Sequence, residues 1–152
     1  MPFTESTFEP DTSPGYLVRL IQQMSVAALE RTLAPDGLTA TQWMTMVSLH
    51  FGHADTCVAL ARSMAHDKGA MTRLLDQLEA NGWVQRERDT GDRRIVRVSL
   101  TPAGLDVAIA AKRKVIDCWN DLLADWSEAE VVDLVATLQR LRRTMEAKAC
   151  AA

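Results

Sequence analysis

The sequence predicts a mainly α-helical protein that carries one small β-hairpin. Along most of the chain, as in residues 68–80, apolar side chains recur at the helical spacing i, i+3, i+4, i+7. One stretch, residues 83–100, instead contains a strand-like alternation of apolar and polar residues next to a turn-forming segment. Helix-capping residues and helix-stopping glycines separate the periodic segments, so each helix has a predictable start and end.

Composition limits the class of protein. The chain has 152 residues, of which 47% are apolar, and this is enough for one domain to bury a core without disulfides or metal. Its three cysteines, Cys57, Cys118 and Cys150, lie far apart, and an odd number argues against a disulfide framework. No apolar run has the length of a membrane span, and the first residues lack the features of a signal peptide. We therefore expect a cytoplasmic protein without a membrane segment.

The first part of the chain predicts an irregular arm followed by two helices. Residues 1–14 contain three prolines and scattered acids, and we expect them to be irregular. The helix that follows has apolar residues at helical spacing and ends near Gly37. Thr39 and Gln42 form a capping box, in which each side chain bonds the other residue's backbone, and this predicts the start of the second helix.

Two further helices are predicted between about Thr56 and Gly82. Asp67 can cap the fourth helix of the chain, because its carboxylate accepts a bond from a free backbone N–H of the first turn. Gly82 ends it, since glycine tolerates the left-handed conformation after the last turn. The apolar face of this helix is Met71, Leu74, Leu75 and Leu78. Small and basic residues lie opposite that face, near the helix start, which suits an element that enters a DNA groove.

The stretch after Gly82 predicts a β-hairpin with a basic tip. Residues 89–92, Asp-Thr-Gly-Asp, are typical of a turn. Three apolar residues of the return strand share one face: Val96, Val98 and Leu100. Arg93 and Arg94 fall at the tip, where long cations can reach a minor groove or phosphates. Helix, turn, helix and basic hairpin in this order form a winged helix-turn-helix, which we assign to residues 38–101.

Two long helices are predicted after the hairpin. Thr101 caps the first, and Ser127 with Glu130 forms a capping box for the second. Their apolar stripes are longer than one small winged helix needs for its own core. We therefore predict that residues 15–37 and 102–150 form the helical dimerisation region of a two-fold symmetric homodimer.

Two long motifs occur in order within this arrangement. The first is D-K-G-A-M-T-R-L-L-D-Q-L-E-A-N-G-W-V at Asp67–Val84, and the second is D-R-R-I-V-R-V-S-L-T-P-A-G at Asp92–Gly104. At these residues the chain resembles the MarR family of bacterial transcription regulators, whose wing signature D-x-R falls on Asp92 and Arg94. The resemblance implies a homodimer that binds a pseudopalindromic operator, most often as a repressor, and that responds to a small aromatic or phenolic effector.

The pattern and the resemblance together predict a set of contacts with double-stranded DNA. The predicted contacts are Lys68, Gly69, Ala70, Thr72, Arg73, Arg86, Arg93 and Arg94. The resemblance also implies that Asp92 orients Arg94. Gly69 costs roughly 1 kcal/mol inside a helix relative to alanine, so we interpret it as a site of close backbone approach to DNA. The alternatives are a solvated helix face and an ordinary exposed turn.

Net charge gives this prediction little support by itself. The chain carries −3, but residues 66–97 hold seven Lys and Arg against six Asp and Glu, so that segment is +1 and the remainder is −4. The asymmetry is small, and the position of the cations on the helix start and the hairpin tip is more informative than their sum.

The resemblance places an effector pocket where the first two helices meet the DNA-binding part. We predict that Met24, Trp43, Met46 and His50 line it; the alternative is that these Trp and Met side chains fill the core. No cofactor is expected.

Three other functions are considered. The spacing of His50, His53 and Cys57 is compatible with a metal-responsive regulator, although no fourth ligand lies nearby. A redox-responsive regulator would depend on Cys57, which we instead expect to be a small buried residue. A winged helix can also act purely as a protein-interaction module, but the charged wing disfavours this. We find no phosphate-binding loop and no nucleophile motif, so we do not expect an enzyme.

Overall fold

The structure, a computed structural model, describes residues 3–4 and 7–150. Two short 3-10 turns, Pro10–Thr12 and Ala34–Asp36, accompany the helices. The helices and strands are α1 (Pro14–Leu33), α2 (Ala40–His50), α3 (Cys57–Ser63), α4 (Lys68–Ala80), β1 (Val84–Arg88), β2 (Val96–Leu100), α5 (Pro102–Leu122) and α6 (Glu128–Cys150). Two compact units are present, one up to Ile116 and one from Asp117 onward. The mainly helical fold with one small hairpin is therefore confirmed.

The N-terminal arm is more ordered than the sequence predicts. Helix α1 begins at Pro14, inside the predicted irregular segment, because the hydroxyl of Ser13 accepts a bond from the Tyr16 backbone N–H at 3.4 Å. Proline fits the first position of a helix, where its missing N–H has no intrahelical partner to lose. The part of the arm prediction that concerns residues 1–2 and 5–6 lies outside the described residues.

The predicted capping boxes are confirmed. The backbone N–H of Gln42 donates to the Thr39 hydroxyl at 3.1 Å, and the Thr39 N–H donates to the Gln42 side chain at 3.0 Å. At the start of α6 the Ser127 N–H donates to Glu130 Oε2 at 2.8 Å. The bonds from the Ser127 hydroxyl and backbone lower the pKa of Glu130, because they stabilise its charged form.

Helices α2, α3 and α4 and the hairpin share one core. Its largest fully buried side chains are Leu33, Leu38, Met46, Leu60, Met71, Leu75, Leu78 and Thr45. Three of the four residues predicted for the apolar face of α4 are thus fully buried, and Leu74 is half-buried. This core fixes the face of α4 that remains exposed, which is the face that carries the predicted DNA contacts.

The hairpin is antiparallel, with Val84 opposite Leu100 and Arg88 opposite Val96. Seven residues, 89–95, connect the strands, so the connection is longer than the predicted four-residue turn. Val98 is 3% exposed whereas Val96 on the same strand face is 42% exposed. The two residues differ because Val96 lies at the start of β2, next to the hairpin tip, where nothing covers it.

Hydrogen bonds and close packing join the start of α5 to the turn that follows α4. The hydroxyl of Thr101 donates to the Gly82 carbonyl at 2.6 Å and accepts a bond from the Gly104 N–H at 3.0 Å. A Cβ atom on Gly104 would lie 2.7 Å from the Trp83 carbonyl carbon and closer still to its oxygen. Only glycine fits there, and this gives a physical reason for the glycine that ends the second motif: it lets α5 start against the base of the hairpin.

Candidate nucleic-acid interface

The N-terminal turn of α4 is built as the sequence predicts. Asp67 Oδ1 accepts a bond from the Ala70 backbone N–H at 2.9 Å. This bond is the main reason that the pKa of Asp67 is lowered. The turn before it contains Ala65 at φ +52°, a left-handed conformation that a non-glycine residue adopts at a cost. Cap and turn together fix where α4 starts, and therefore which residues its first two turns present.

The exposed side of those two turns carries most of the predicted helix contacts. Lys68, Thr72 and Arg73 are exposed, whereas the side chain of Ala70 is half-buried and its N–H already bonds Asp67. The Thr72 hydroxyl donates to the Lys68 carbonyl at 2.8 Å. Its oxygen therefore remains available as an acceptor on the exposed face.

Gly69 has a local role that sequence reasoning missed. A Cβ atom at this position would lie 3.1 Å from Asp67 Oδ1, so a larger residue would press on the capping carboxylate. Close approach of the Gly69 backbone to DNA stays a prediction, and the cap gives an independent reason for glycine.

Two aspartates fix the backbone of the hairpin tip. Asp89 Oδ1 accepts bonds from the Gly91 and Asp92 backbone N–H groups at 2.8 and 3.1 Å. Asp92 Oδ1 accepts a bond from the Arg94 backbone N–H at 3.0 Å. Asp92 thus bonds the main chain of Arg94, and in this way it sets where the Arg94 side chain leaves the loop.

The two arginines at the hairpin tip form no ion pairs with the described residues. Within the described part of the chain, no carboxylate forms an ion pair with Arg93 or Arg94, and both residues are exposed. Lys68 and Arg73 on α4 share this property over the same residues. Four cations on two neighbouring elements are therefore available to a polyanion.

Arg97 joins the hairpin to the loop before α3 and is the main feature that the sequence did not reveal. Its Nε donates to Asp89 Oδ2 at 2.5 Å, and its Nη1 pairs with Asp55. The bond from Arg97 is the largest of the effects that lower the pKa of Asp89 to about 2. Next to it, the Val98 N–H donates to the Asp55 carbonyl at 2.7 Å. We call the trio Asp55, Asp89 and Arg97 the wing latch.

Arg86, a predicted DNA contact, has partners that the sequence did not indicate. Its Nη1 lies 2.7 Å from Asp76 Oδ1 and 3.3 Å from Glu79 Oε2, and its side chain is 25% exposed. Its Nη2 also donates to the Thr72 carbonyl at 3.4 Å. Two carboxylates of α4 pair with this guanidinium, so Arg86 ties β1 to α4, and its contact with DNA stays a prediction.

The four predicted effector residues differ widely in exposure. Met46 is fully buried in the core, Met24 is 70% exposed, Trp43 is half-buried and His50 is exposed. Only His50 of these four lines the cavity of about 600 Å³ that lies beside β2. Helical periodicity cannot tell a core methionine from one that lines a cavity, and an effector pocket at these residues stays a prediction. Trp43 nevertheless leaves its buried indole N–H without a partner among the described residues.

The histidine and cysteine spacing does not produce a metal site. No three His, Cys, Asp or Glu side chains within residues 3–4 and 7–150 are placed to hold an ion. His50 and His53 instead flank the ring of Phe51, with centroids 4.9 and 6.1 Å away. Cys57, predicted to be a small buried residue, is half-buried, and its sulfur lies 3.5 Å from the Thr72 hydroxyl. No helix in the described ranges is long and apolar enough to cross a membrane.

Comparison with known proteins agrees with this geometry. The sequence profile of the MarR family matches residues 38–96. The multiple antibiotic resistance protein MarR of Salmonella typhimurium is 31% identical over 141 residues, which cover 93% of this chain and 96% of that protein.

Solved structures give the same result. The crystal structure of wild-type apo MarR from Escherichia coli is similar with a TM-score of 0.76 at 30% identity, over 85% of this chain and 96% of that one. A mutant of that protein complexed with operator DNA is similar with a TM-score of 0.73 at 30% identity, over 84% and 91% of the two chains. By sequence identity over nearly its whole length and by its winged helix-turn-helix, the chain belongs to the MarR family.

Proposed function

We propose that the chain is a sequence-specific, DNA-binding transcription regulator that acts as a homodimer. The observation that carries the proposal is a set of exposed cations on α4 and on the hairpin tip that form no ion pair with any described residue: Lys68, Arg73, Arg93 and Arg94. A similar Escherichia coli protein is known in complex with operator DNA, and this supports a DNA-binding role for the chain.

The two elements have different tasks in this proposal. Helix α4 enters a major groove, where Lys68, Thr72 and Arg73 read base edges or bind phosphates. The hairpin tip enters the flanking minor groove, where Arg94 is drawn to the negative potential. Arg86 keeps the two elements in a fixed relation, because it joins β1 to Asp76 and Glu79 of α4.

The proposed homodimer follows from apolar side chains that stay exposed on the helices outside the DNA-binding part. On α1 and the second half of α5 they are Leu17, Val18, Ile21, Ile116, Trp119 and Leu122, and on α6 they are Val132, Val135, Leu138, Leu141 and Met145. Exposed apolar side chains that recur at helical spacing along each of these helices are typical of an interaction surface. A two-fold dimer presents two α4 helices to half-sites about one helical turn apart, roughly 10 base pairs.

Regulation in this proposal is repression relieved by a small aromatic effector. An effector releases DNA when it binds better to the arrangement whose α4 helices mismatch the groove separation. A difference in affinity worth about 1–3 kcal/mol is the usual scale of such coupling.

The test is a titration of DNA selected by the protein from a random duplex pool, measured by fluorescence anisotropy at several salt concentrations. Arg94→Ala is expected to weaken binding about tenfold and to lower the slope of log affinity against log salt by about 1. Arg113→Ala removes the same charge from an exposed site on α5 and is expected to leave both unchanged. An unaltered salt slope in Arg94→Ala would contradict the proposal.

A further inference from the structure

A cavity of about 600 Å³ lies where the end of α2, the edge of β2 and the start of α5 meet. Its lining has one apolar side and one acidic end. The apolar side consists of Leu49, Val98, Leu100, Pro102 and Leu105, and the polar residues are His50, Asp55, Glu87, Arg97, Ser99 and Thr101. A volume of this size is within the range of small-molecule sites, in which apolar walls provide most of the contact and a few polar groups orient the ligand.

The charged residues that line the polar end of the cavity carry more negative than positive charge. Arg97 is already paired with two carboxylates, Asp55 and Asp89. Glu87 is the second carboxylate that lines the cavity, and its described hydrogen-bond partner is the neutral Gln85 side chain, at 3.4 Å. The lining thus holds the carboxylates of Asp55 and Glu87 against the guanidinium of Arg97, and Glu87 forms no ion pair with the described residues. This end favours a cation and disfavours an anion.

We propose that this cavity binds a small organic cation with an apolar body, such as an arylalkylamine, whose ammonium group lies at Asp55 and Glu87. The ring or alkyl body packs against Leu49, Leu100 and Leu105. The site differs in position from the effector residues expected from sequence, of which it contains only His50. The ligand class also differs from an acidic aromatic effector, because no unpaired cation lines the cavity within the described residues.

Occupancy of this cavity acts on the wing through the latch. An ammonium group at Asp55 competes with Arg97 for the same carboxylate. Arg97 also bonds Asp89, which holds the Gly91 and Asp92 N–H groups of the hairpin tip. Ligand binding therefore loosens the loop that presents Arg94. This regulatory step rests on the proposed DNA-binding function, whereas binding of the cation does not.

Binding is tested by calorimetry on the full chain without DNA, using 2-phenylethylammonium, the neutral 2-phenylethanol and the anion phenylacetate as probes. The amine is expected to bind at least tenfold more tightly than either analogue. Glu87→Gln is expected to weaken amine binding several-fold, whereas Glu128→Gln, an exposed carboxylate at the start of α6, leaves it unchanged. Ser99→Trp fills the cavity and is expected to abolish binding. Equal binding of the three probes, or amine binding that survives both Glu87→Gln and Ser99→Trp, overturns the proposal.

The coupling is tested separately. Saturating amine is expected to shift the backbone amide signals of Gly91 and Asp92 in a ¹⁵N-labelled sample and to weaken binding to the selected duplex several-fold. Shifted signals in a protein that binds no DNA would contradict the proposed function and leave the site supported. Amine binding with neither change overturns the coupling.

Discussion

The segment from α2 to β2 and the helix α6 have similar apolar periodicity, but they differ in what they bury. Every helix and strand from α2 to β2 places at least one apolar side chain at 3% exposure or less: Met46, Leu60, Met71, Leu75, Leu78, Val84 and Val98. Helix α6, over its 23 residues, has no buried side chain in its described part. The first region completes its core within one chain. An amphipathic helix that buries nothing of its own needs a partner surface, which the proposed second chain provides.

The largest expected effect is a loss of stability in the region that completes its core within one chain. Gly104→Ala places a methyl group against the Trp83 carbonyl, and we expect a loss of about 3 kcal/mol or more in the free energy of unfolding, measured by urea denaturation. Gly15→Ala is the matched control, because nothing lies within 4 Å of a Cβ there. It should gain up to about 1 kcal/mol. Equal stability of the two variants would show that the base of the hairpin is not rigid.

The next effect tests α6 as a surface that needs a partner. Leu138 is 46% exposed, and Leu138→Asp should weaken the homodimer at least tenfold in sedimentation equilibrium, since it places a charge in an apolar contact, a change that costs about 1–3 kcal/mol or more. Gln139→Asp adds the same charge at a polar neighbour and should have little effect. An unchanged dimer in Leu138→Asp would remove α6 from the interface.

A smaller effect concerns the wing latch. The pKa of Asp89 is lowered to about 2 from 3.8, chiefly by Arg97. The stabilisation from its ionised form is therefore complete above about pH 4 and is lost as the pH falls through 2. Melting curves of the wild type should show this loss between pH 4 and 2, and Asp89→Asn should lack that component. A wild-type profile that matches Asp89→Asn would argue against the latch.

The smallest expected effect is a change in melting temperature caused by a substitution in the turn before α4. Ala65 has φ +52°, a conformation that costs alanine roughly 1–2 kcal/mol, whereas glycine adds about 0.4–1 kcal/mol of unfolded-state entropy. Ala65→Gly should therefore raise the melting temperature slightly. A clear decrease would indicate that the turn contributes contacts beyond its backbone conformation.

Local features were predictable from sequence and distant contacts were not. The caps at Thr39, Asp67 and Ser127 depend on residues within one turn, so the sequence pattern specified them directly. The bridge from Arg97 to Asp55 joins residues 42 positions apart, and no local signal indicates that pairing. The ion pairs of Arg86 were missed for the same reason, because its partners belong to α4 and become neighbours only when β1 packs against it.

Gly104 shows both what the sequence could predict and what it could not. The motif resemblance marked it, but only the structure supplies the reason, which is the main chain of Trp83. The predicted effector residues show a different limit: Met46 and Met24 both fit an apolar helical position, yet one is fully buried and the other is 70% exposed. Sequence periodicity identifies a face and does not say what covers it.

The central claim is that two copies of the chain present two DNA-binding regions to one operator. Native mass spectrometry of the protein with its selected duplex measures this directly. We expect two chains per duplex, with single-chain complexes rare even at substoichiometric protein, and loss of binding when one half-site is moved by about five base pairs, half a helical turn. A monomeric protein that binds one chain per duplex, indifferent to half-site spacing, would contradict the account.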